Sequence, residues 1–167
     1  MDKLALAVAA LALGATIWQG QAQIKHNHVS VEPRITSYFS NNGNKDQWGI
    51  YAFNNGMGNA FVESLEVYVD GKAVADHPYG KFFSAVNALG LEPLCFLIGG
   101  PRPNDAFQVG SEERLIEANP KAPKTCALSN LLLQKYANER VDYELVFKSI
   151  YGDRFKYRYS KNSQAAL

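Results

Sequence analysis

The sequence predicts a mainly β protein, an antiparallel β-sandwich with one or two short helical insertions, preceded by an N-terminal hydrophobic helix. Three observations carry that expectation. Between residues 30 and 160 many segments alternate apolar or aromatic residues with polar ones, the period of half-buried strands. Turn-forming clusters such as Asn41–Asp46 and Asp70-Gly71 punctuate those segments at short spacing, as the loops of a sandwich do. Finally, an Ala- and Leu-rich stretch opens the chain and carries no charge between Lys3 and Lys25.

The 167 residues suffice for one domain with a real core plus a short appendage. A hydrophobic fraction of 47% with 20% charged residues excludes a disordered chain. Seventeen basic and 16 acidic residues leave a net charge of +1, too little field to recruit nucleic acid. Nine Tyr and nine Phe favour strands.

The opening stretch has an apolar core from Leu4 to Trp18. A membrane span needs about 20 residues and a signal peptide about 7–15, so two readings stand. Residues 1–24 form a transmembrane anchor, with Trp18 at the interface and Gln19, Gln21 and Gln23 entering the headgroups, or a signal peptide cleaved near Ala22 after the small-x-small stretch Gly20-Gln21-Ala22. Residues 25–29 then form a juxtamembrane stalk, 30–160 the β-sandwich domain and 161–167 a flexible tail.

Within the domain, Val31, Pro33, Ile35, Ser37 and Phe39 share one face of a first or edge strand from Ser30 to Phe39. After the Asn41–Asp46 turn, Gln47 to Asn55 alternates as a second strand. A third runs from Ala60 to Val69, with Leu65, Val67 and Val69 inward, and Asp70-Gly71 is the strongest hairpin signal in the chain. Phe82, Phe83, Val86 and Leu89 have near-helical spacing ahead of Gly90. Pro93–Ile98 reads as a buried strand, Phe107–Ile116 as extended, and Cys126–Arg140 as a helix capped near Ser129 with Leu131, Leu132, Leu133 and Tyr136 on one side. Val141, Tyr143, Leu145 and Phe147 alternate on one strand of a closing hairpin, Phe155, Tyr157 and Tyr159 on the other, with acidic residues facing basic ones across it.

The segments HNHVSVEPRI, FNNGMGNAFVESLEVYVDGK and YELVFKSIYGDRFKYRYS together resemble uncharacterised bacterial single-pass membrane-anchored proteins. That resemblance implies a bitopic protein of the bacterial inner membrane with an immunoglobulin-like domain, and implies no activity. It does not extend over Asp76–Leu128, which contains both cysteines, Cys95 and Cys126.

Chemistry is sparse. The sequence contains no phosphate-binding Gly-Lys-Ser/Thr loop, nucleophile elbow or His-Glu-x-x-His, so no catalytic residue, cofactor or metal is assigned and no enzyme is expected. Cys95 and Cys126 are either two buried thiols or, in an exported domain, a disulfide. His26 and His28 would share a face of an extended stalk and could meet a metal or anionic headgroups, against the plainer reading of a solvated stalk. Asn54, Asn55, Gly56, Gly58 and Asn59 form a candidate binding loop, and Tyr151, Asp153 and Arg154 a candidate contact at a hairpin tip. The expected function is a noncatalytic module at the membrane surface that binds a protein partner, with the domain leaning toward the periplasm. The alternative is a secreted or periplasmic ligand-binding domain that uses Asp76–Asn104 as a lid.

Overall fold

The computed structural model describes residues 3–45 and 47–167. Helix α1 (Lys3–Ser30) is followed by strands β1 (Ile35–Ser40), β2 (Gly49–Asn54), β3 (Ala60–Val69) and β4 (Lys72–Ala73), and by helix α2 (Lys81–Ala88). Strands β5 (Phe96–Ile98), β6 (Ala106–Phe107) and β7 (Glu112–Ala118) lead to helix α3 (Ala127–Glu139), and β8 (Val141–Lys148), β9 (Arg154–Arg158) and β10 (Ser163–Ala166) close the chain. The strands form two antiparallel sheets, one ordered β1-β2-β7-β5 and the other β10-β9-β8-β3-β4, with β6 also paired to β3. Helix accounts for 37% of residues and strand for 33%, so the chain is less purely β than its alternation suggests. The 28 residues of α1 are the main reason.

One hydrophobic core takes side chains from both sheets. Val67, Tyr143, Leu145, Phe147 and Tyr157 come from the larger sheet and Ile35, Ile50, Leu115 and Ile116 from the smaller. The hydroxyls of Ser37 on β1 and Tyr143 on β8 hydrogen-bond to each other, so this polar pair buried between the sheets is satisfied. Strand β3 is inward at Ala60 and Val62 and again at Leu65, Val67 and Val69. The change of parity is a register shift against β8 between Val62 and Ser64, the signature of a bulge. At the Asp70-Gly71 turn both residues have positive φ, 52° and 76°, as the tightest hairpin turn requires. The ladder of charges on the last hairpin forms as expected, with Arg158 contacting Asp142 and Glu144, and Lys156 contacting Glu144.

Several boundaries differ from the sequence reading. The stalk, residues 25–29, is the end of α1, and β1 starts at Ile35 rather than Ser30. His26 and His28 therefore do not share a face, because two residues along a helix turn a side chain by about 200°. Residues 161–167 are not a loose tail. Asn162 turns the chain at φ 42° and Ser163–Ala166 pair with β9. The side chains of Asn162 and Gln164 accept hydrogen bonds from the backbone N–H groups of Ser37 and Ile35, and Gln164 donates to the Pro33 carbonyl. Short polar side chains thus occupy the β1 edge and join the two sheets along it. Residues 76–104 are no lid either, since Phe82, Ala85, Val86, Cys95 and Phe96 all enter the core.

Helix α3 begins at Ala127 and buries Leu133 and Ala137, whereas Leu131 is 59% exposed. The sequence reading placed Leu131 inward because three consecutive leucines cannot be sorted without a partner surface. Leu133→Ala should cost about 2–5 kcal/mol through the cavity it leaves, and Leu131→Ala should stay within about 0.5 kcal/mol of wild type. Urea unfolding of the two variants checks the assignment.

Candidate functional site

Both groups of residues singled out from the sequence lie at the end of the domain where α1 leaves it, and both are occupied by internal contacts. Asn54 is fully buried. Its Oδ1 accepts from the N–H groups of Arg34 and Gly56, and its Nδ2 donates to the carbonyls of Gly58 and Phe107 at 2.9 and 3.1 Å. All four hydrogen-bonding positions of the carboxamide are used. Asn55 and Met57 add backbone bonds to the carbonyls of Arg34 and Glu32, and Asn59 Oδ1 accepts from Val109.

The glycines of this loop serve close approach. A Cβ on Gly56 would sit 2.3 Å from the Arg34 nitrogen, and one on Gly58 would sit 1.8 Å from the Val31 carbonyl oxygen. Residues 54–59 are therefore a clasp that grips residues 31–34, the segment joining α1 to β1.

The hairpin tip between β8 and β9 makes the second contact. Asp153 Oδ2 lies 2.8 Å from His28 Nδ1 and also accepts from the Ser149 hydroxyl. The His28 ring stacks on Tyr151 with centroids 4.5 Å apart and planes 11° from parallel. Arg154 donates to Glu63 at 2.8 Å. The histidine that the sequence offered as a metal or headgroup ligand instead fastens the foot of α1 to the domain, while His26 is exposed.

At the opposite end, reached by following β1 away from α1, the structure holds a groove of about 440 Å³ that the sequence reading did not find. Asn41, Gly43, Gln47 and Trp48, the segment after β7 and the start of α3 form its walls. Trp48 is held in it by donating from Nε1 to the Asn130 carbonyl at 3.0 Å and by an edge contact with Phe39. Cys126 lines it and is bonded to Cys95 in a disulfide, with Cα atoms 5.4 Å apart. Side-chain Oδ1 of Asn130 is buried and finds no hydrogen-bond partner among the described residues. Nothing in the local sequence signals this site, because its walls come from segments 70 or more residues apart.

No protein-family model, curated protein or solved structure matches this chain.

The outer face of the smaller sheet carries Tyr38, which donates to Glu112, and Tyr51, which donates to Glu117 at 2.6 Å. Burial, with Glu112 beside the hydroxyl, pushes Tyr38 up to about 12, and burial with Glu117 raises Tyr51. Burial and the neighbouring Tyr157 push Tyr159 up to about 12, and burial raises Tyr143 and Tyr157 in the core. A raised tyrosine is stabilised in its neutral form. These groups therefore contribute stability that is complete below about pH 10 and is lost as pH rises through the folded values. Alkaline unfolding is expected to begin above about pH 10 and to be advanced by about pH 12, with phenolate absorbance and loss of the far-ultraviolet β signal rising together. Early ionisation of all nine tyrosines in a still-folded protein would contradict these environments.

Proposed function

We propose that this chain is a noncatalytic membrane-anchored binding module, an immunoglobulin-like β-sandwich held against a bacterial inner membrane by α1 and facing the periplasm. The observation that carries the reading is the contrast along α1. Its apolar length has no residue buried against the domain, while its polar foot is fastened by His28, Asp153 and Tyr151. Apolar residues surround the helix on all sides, as in a segment whose surroundings are lipid. At 1.5 Å per residue, Lys3 to Ala22 spans about 30 Å, the hydrocarbon thickness of a bilayer. Gln23, Lys25 and His26 then fall among the headgroups, and the clasp holds the domain at the surface in a set orientation.

The disulfide supports an oxidising compartment. Two antiparallel sheets around one core support the sandwich. Anchoring raises the effective concentration of the domain near partners in the same membrane, and the distal groove, at the far end of strands about 20 Å long, is displayed away from the lipid. The partner proposed from the sequence is a protein.

A second reading keeps its own support. Gly20-Gln21-Ala22 fits a cleavage site, and removal of residues 1–22 would leave His28 and the clasp intact, giving a secreted or periplasmic ligand-binding domain. Expression of the full chain, an alkaline carbonate wash of the membranes and N-terminal sequencing decide between them. The anchored protein stays in the washed membrane with its first residues intact, and protease added to spheroplasts digests the domain. A soluble product starting at Gln23 selects the secreted form, and a domain shielded in spheroplasts but cut in inverted vesicles reverses the orientation.

A further inference from the structure

We propose that the end of the domain from which α1 departs touches the bilayer itself, through a row of apolar loop tips set into the membrane interface. This adds a second membrane contact to the one made by α1, and it rests on the anchored reading for the presence of lipid at that end. The starting point is an uneven distribution. Met57 in the loop after β2, Val109 in the loop after β6, Ile150 and Tyr151 at the tip joining β8 to β9, and Leu167 after β10 each leave at least half of their surface exposed. Single exposed apolar residues need no explanation, whereas a contiguous set marks a contact. Strand pairing makes this set contiguous. At this end the larger sheet runs β10-β9-β8-β3-β6, because β6 pairs with Ala60 and Phe61 at the start of β3. Neighbouring strands lie about 4.8 Å apart, so the row is about 20 Å long, and every strand in it adjoins a segment that carries one of these residues. At the other end the turns joining β1 to β2, β3 to β4 and β9 to β10 hold no exposed large apolar side chain among the described residues.

The backbone of these tips is prepared for a medium that cannot solvate it. A segment leaving water must already have partners for its N–H groups. The N–H of Met57 donates to the Glu32 carbonyl at 3.2 Å, that of Val109 to Asn59 Oδ1 at 3.1 Å, that of Tyr151 to Ser149 Oγ at 3.2 Å and that of Leu167 to the Arg154 carbonyl at 2.9 Å. The tips therefore offer side chains and withhold their N–H groups. The level of the row also fits. Tyr151 stacks on His28, and the exposed, apolar Ile24 lies four residues earlier on α1, about 6 Å along the helix axis. The polar layer of a leaflet is about 5–7 Å thick, so Tyr151 stands among the headgroups, where amphipathic aromatic rings are enriched.

Charge does not drive this contact. Arg154 pairs with Glu63, Arg34 with Glu32, and His28 with Asp153, so the end carries balanced pairs rather than the basic cluster that recognises anionic lipid. A protein partner is the competing occupant. Continuity with α1 favours lipid, because the apolar helix and the apolar row leave the domain at the same end.

The test uses the full chain in phosphatidylcholine vesicles. Met57→Cys, Ile150→Cys, Leu13→Cys and Asn44→Cys are made singly and labelled with a thiol-reactive fluorophore, the native cysteines being bonded to each other. All four positions are exposed, so the substitutions leave the fold intact. Two quenchers are compared, a nitroxide high on the lipid acyl chain and iodide in the water. Labels at positions 57 and 150 should be quenched by the lipid nitroxide and protected from iodide about threefold or more relative to position 44, the depth expected of an interfacial contact. Adding phosphatidylglycerol should leave both readings unchanged. Ile150→Asp should raise iodide quenching of the label at position 57 toward that at position 44, because the row enters the interface together. Iodide quenching at 57 and 150 equal to that at 44 overturns the proposal. So does lipid quenching that appears only with phosphatidylglycerol, or protection found in native membranes and absent from pure lipid, which would assign the row to a protein. Position 13 separates the two readings: lipid quenching there without it at 57 and 150 leaves the anchor and removes the apolar face, and the reverse pattern removes the anchor and leaves the face.

Discussion

Replacing both cysteines, as Cys95→Ala with Cys126→Ala, should lower the unfolding free energy by about 3–4 kcal/mol. The bridge joins residues 31 apart in sequence, and the entropy of closing a loop of that length in the unfolded chain gives about that figure. Its position adds to the effect. Cys95 sits in a short turn leading into β5, the edge of the smaller sheet, and Cys126 at the start of α3. Neither end has a long ladder or a side-chain cap of its own, since β5 has three residues and α3 begins without a capping side chain. Urea unfolding of the oxidised protein, the reduced protein and the double variant measures the effect. Reduced wild type should match the double variant. A loss below about 1 kcal/mol would mean that local packing, rather than the cross-link, secures this corner.

Asn54→Ala should be at least as damaging, at about 3–5 kcal/mol, because it strands two backbone N–H groups and two carbonyls in a buried place. Asn54→Asp tests the mechanism at almost constant volume. The second oxygen would face the Gly58 and Phe107 carbonyls where an NH₂ group now donates, so the aspartate variant should lose stability to a comparable degree. Gly58→Ala acts on the same clasp from the other side, since its Cβ cannot share space with the Val31 carbonyl. In that variant the segment 31–34 should open first and become sensitive to protease before the core unfolds. An Asn54→Ala protein with wild-type stability would show that the clasp is dispensable.

The clasp also shows what local sequence can and cannot signal. Asn-Asn-Gly-Met-Gly-Asn reads as an exposed loop by turn chemistry, yet its glycines are there because another backbone passes against them. Tyr151 and Asp153 likewise read as a contact surface, and they are one, but for His28 of the same chain, 125 residues away from Asp153. Asn130 shows the opposite failure, because an asparagine inside a helix following a cysteine carries no sign that its oxygen is buried without a partner among the described residues. The closing hairpin needed no such help. Val141 to Phe147 and Phe155 to Tyr157 alternate without a break, and the structure pairs them in the register that the charges require.

Alternation of side chains along the strands and the uncharged run at the start are properties of neighbours in the chain, so β3, β8, β9 and the apolar helix could be read from residues alone. The ends of elements, the inward face of α3, the pairing of the cysteines and the two ends of the domain depend on what lies across from each residue. Burial and hydrogen-bond completion are decided between segments far apart in sequence. Folding is what turned the apparent recognition loop into a clasp at the foot of α1 and placed the open groove at the other end of the sheets.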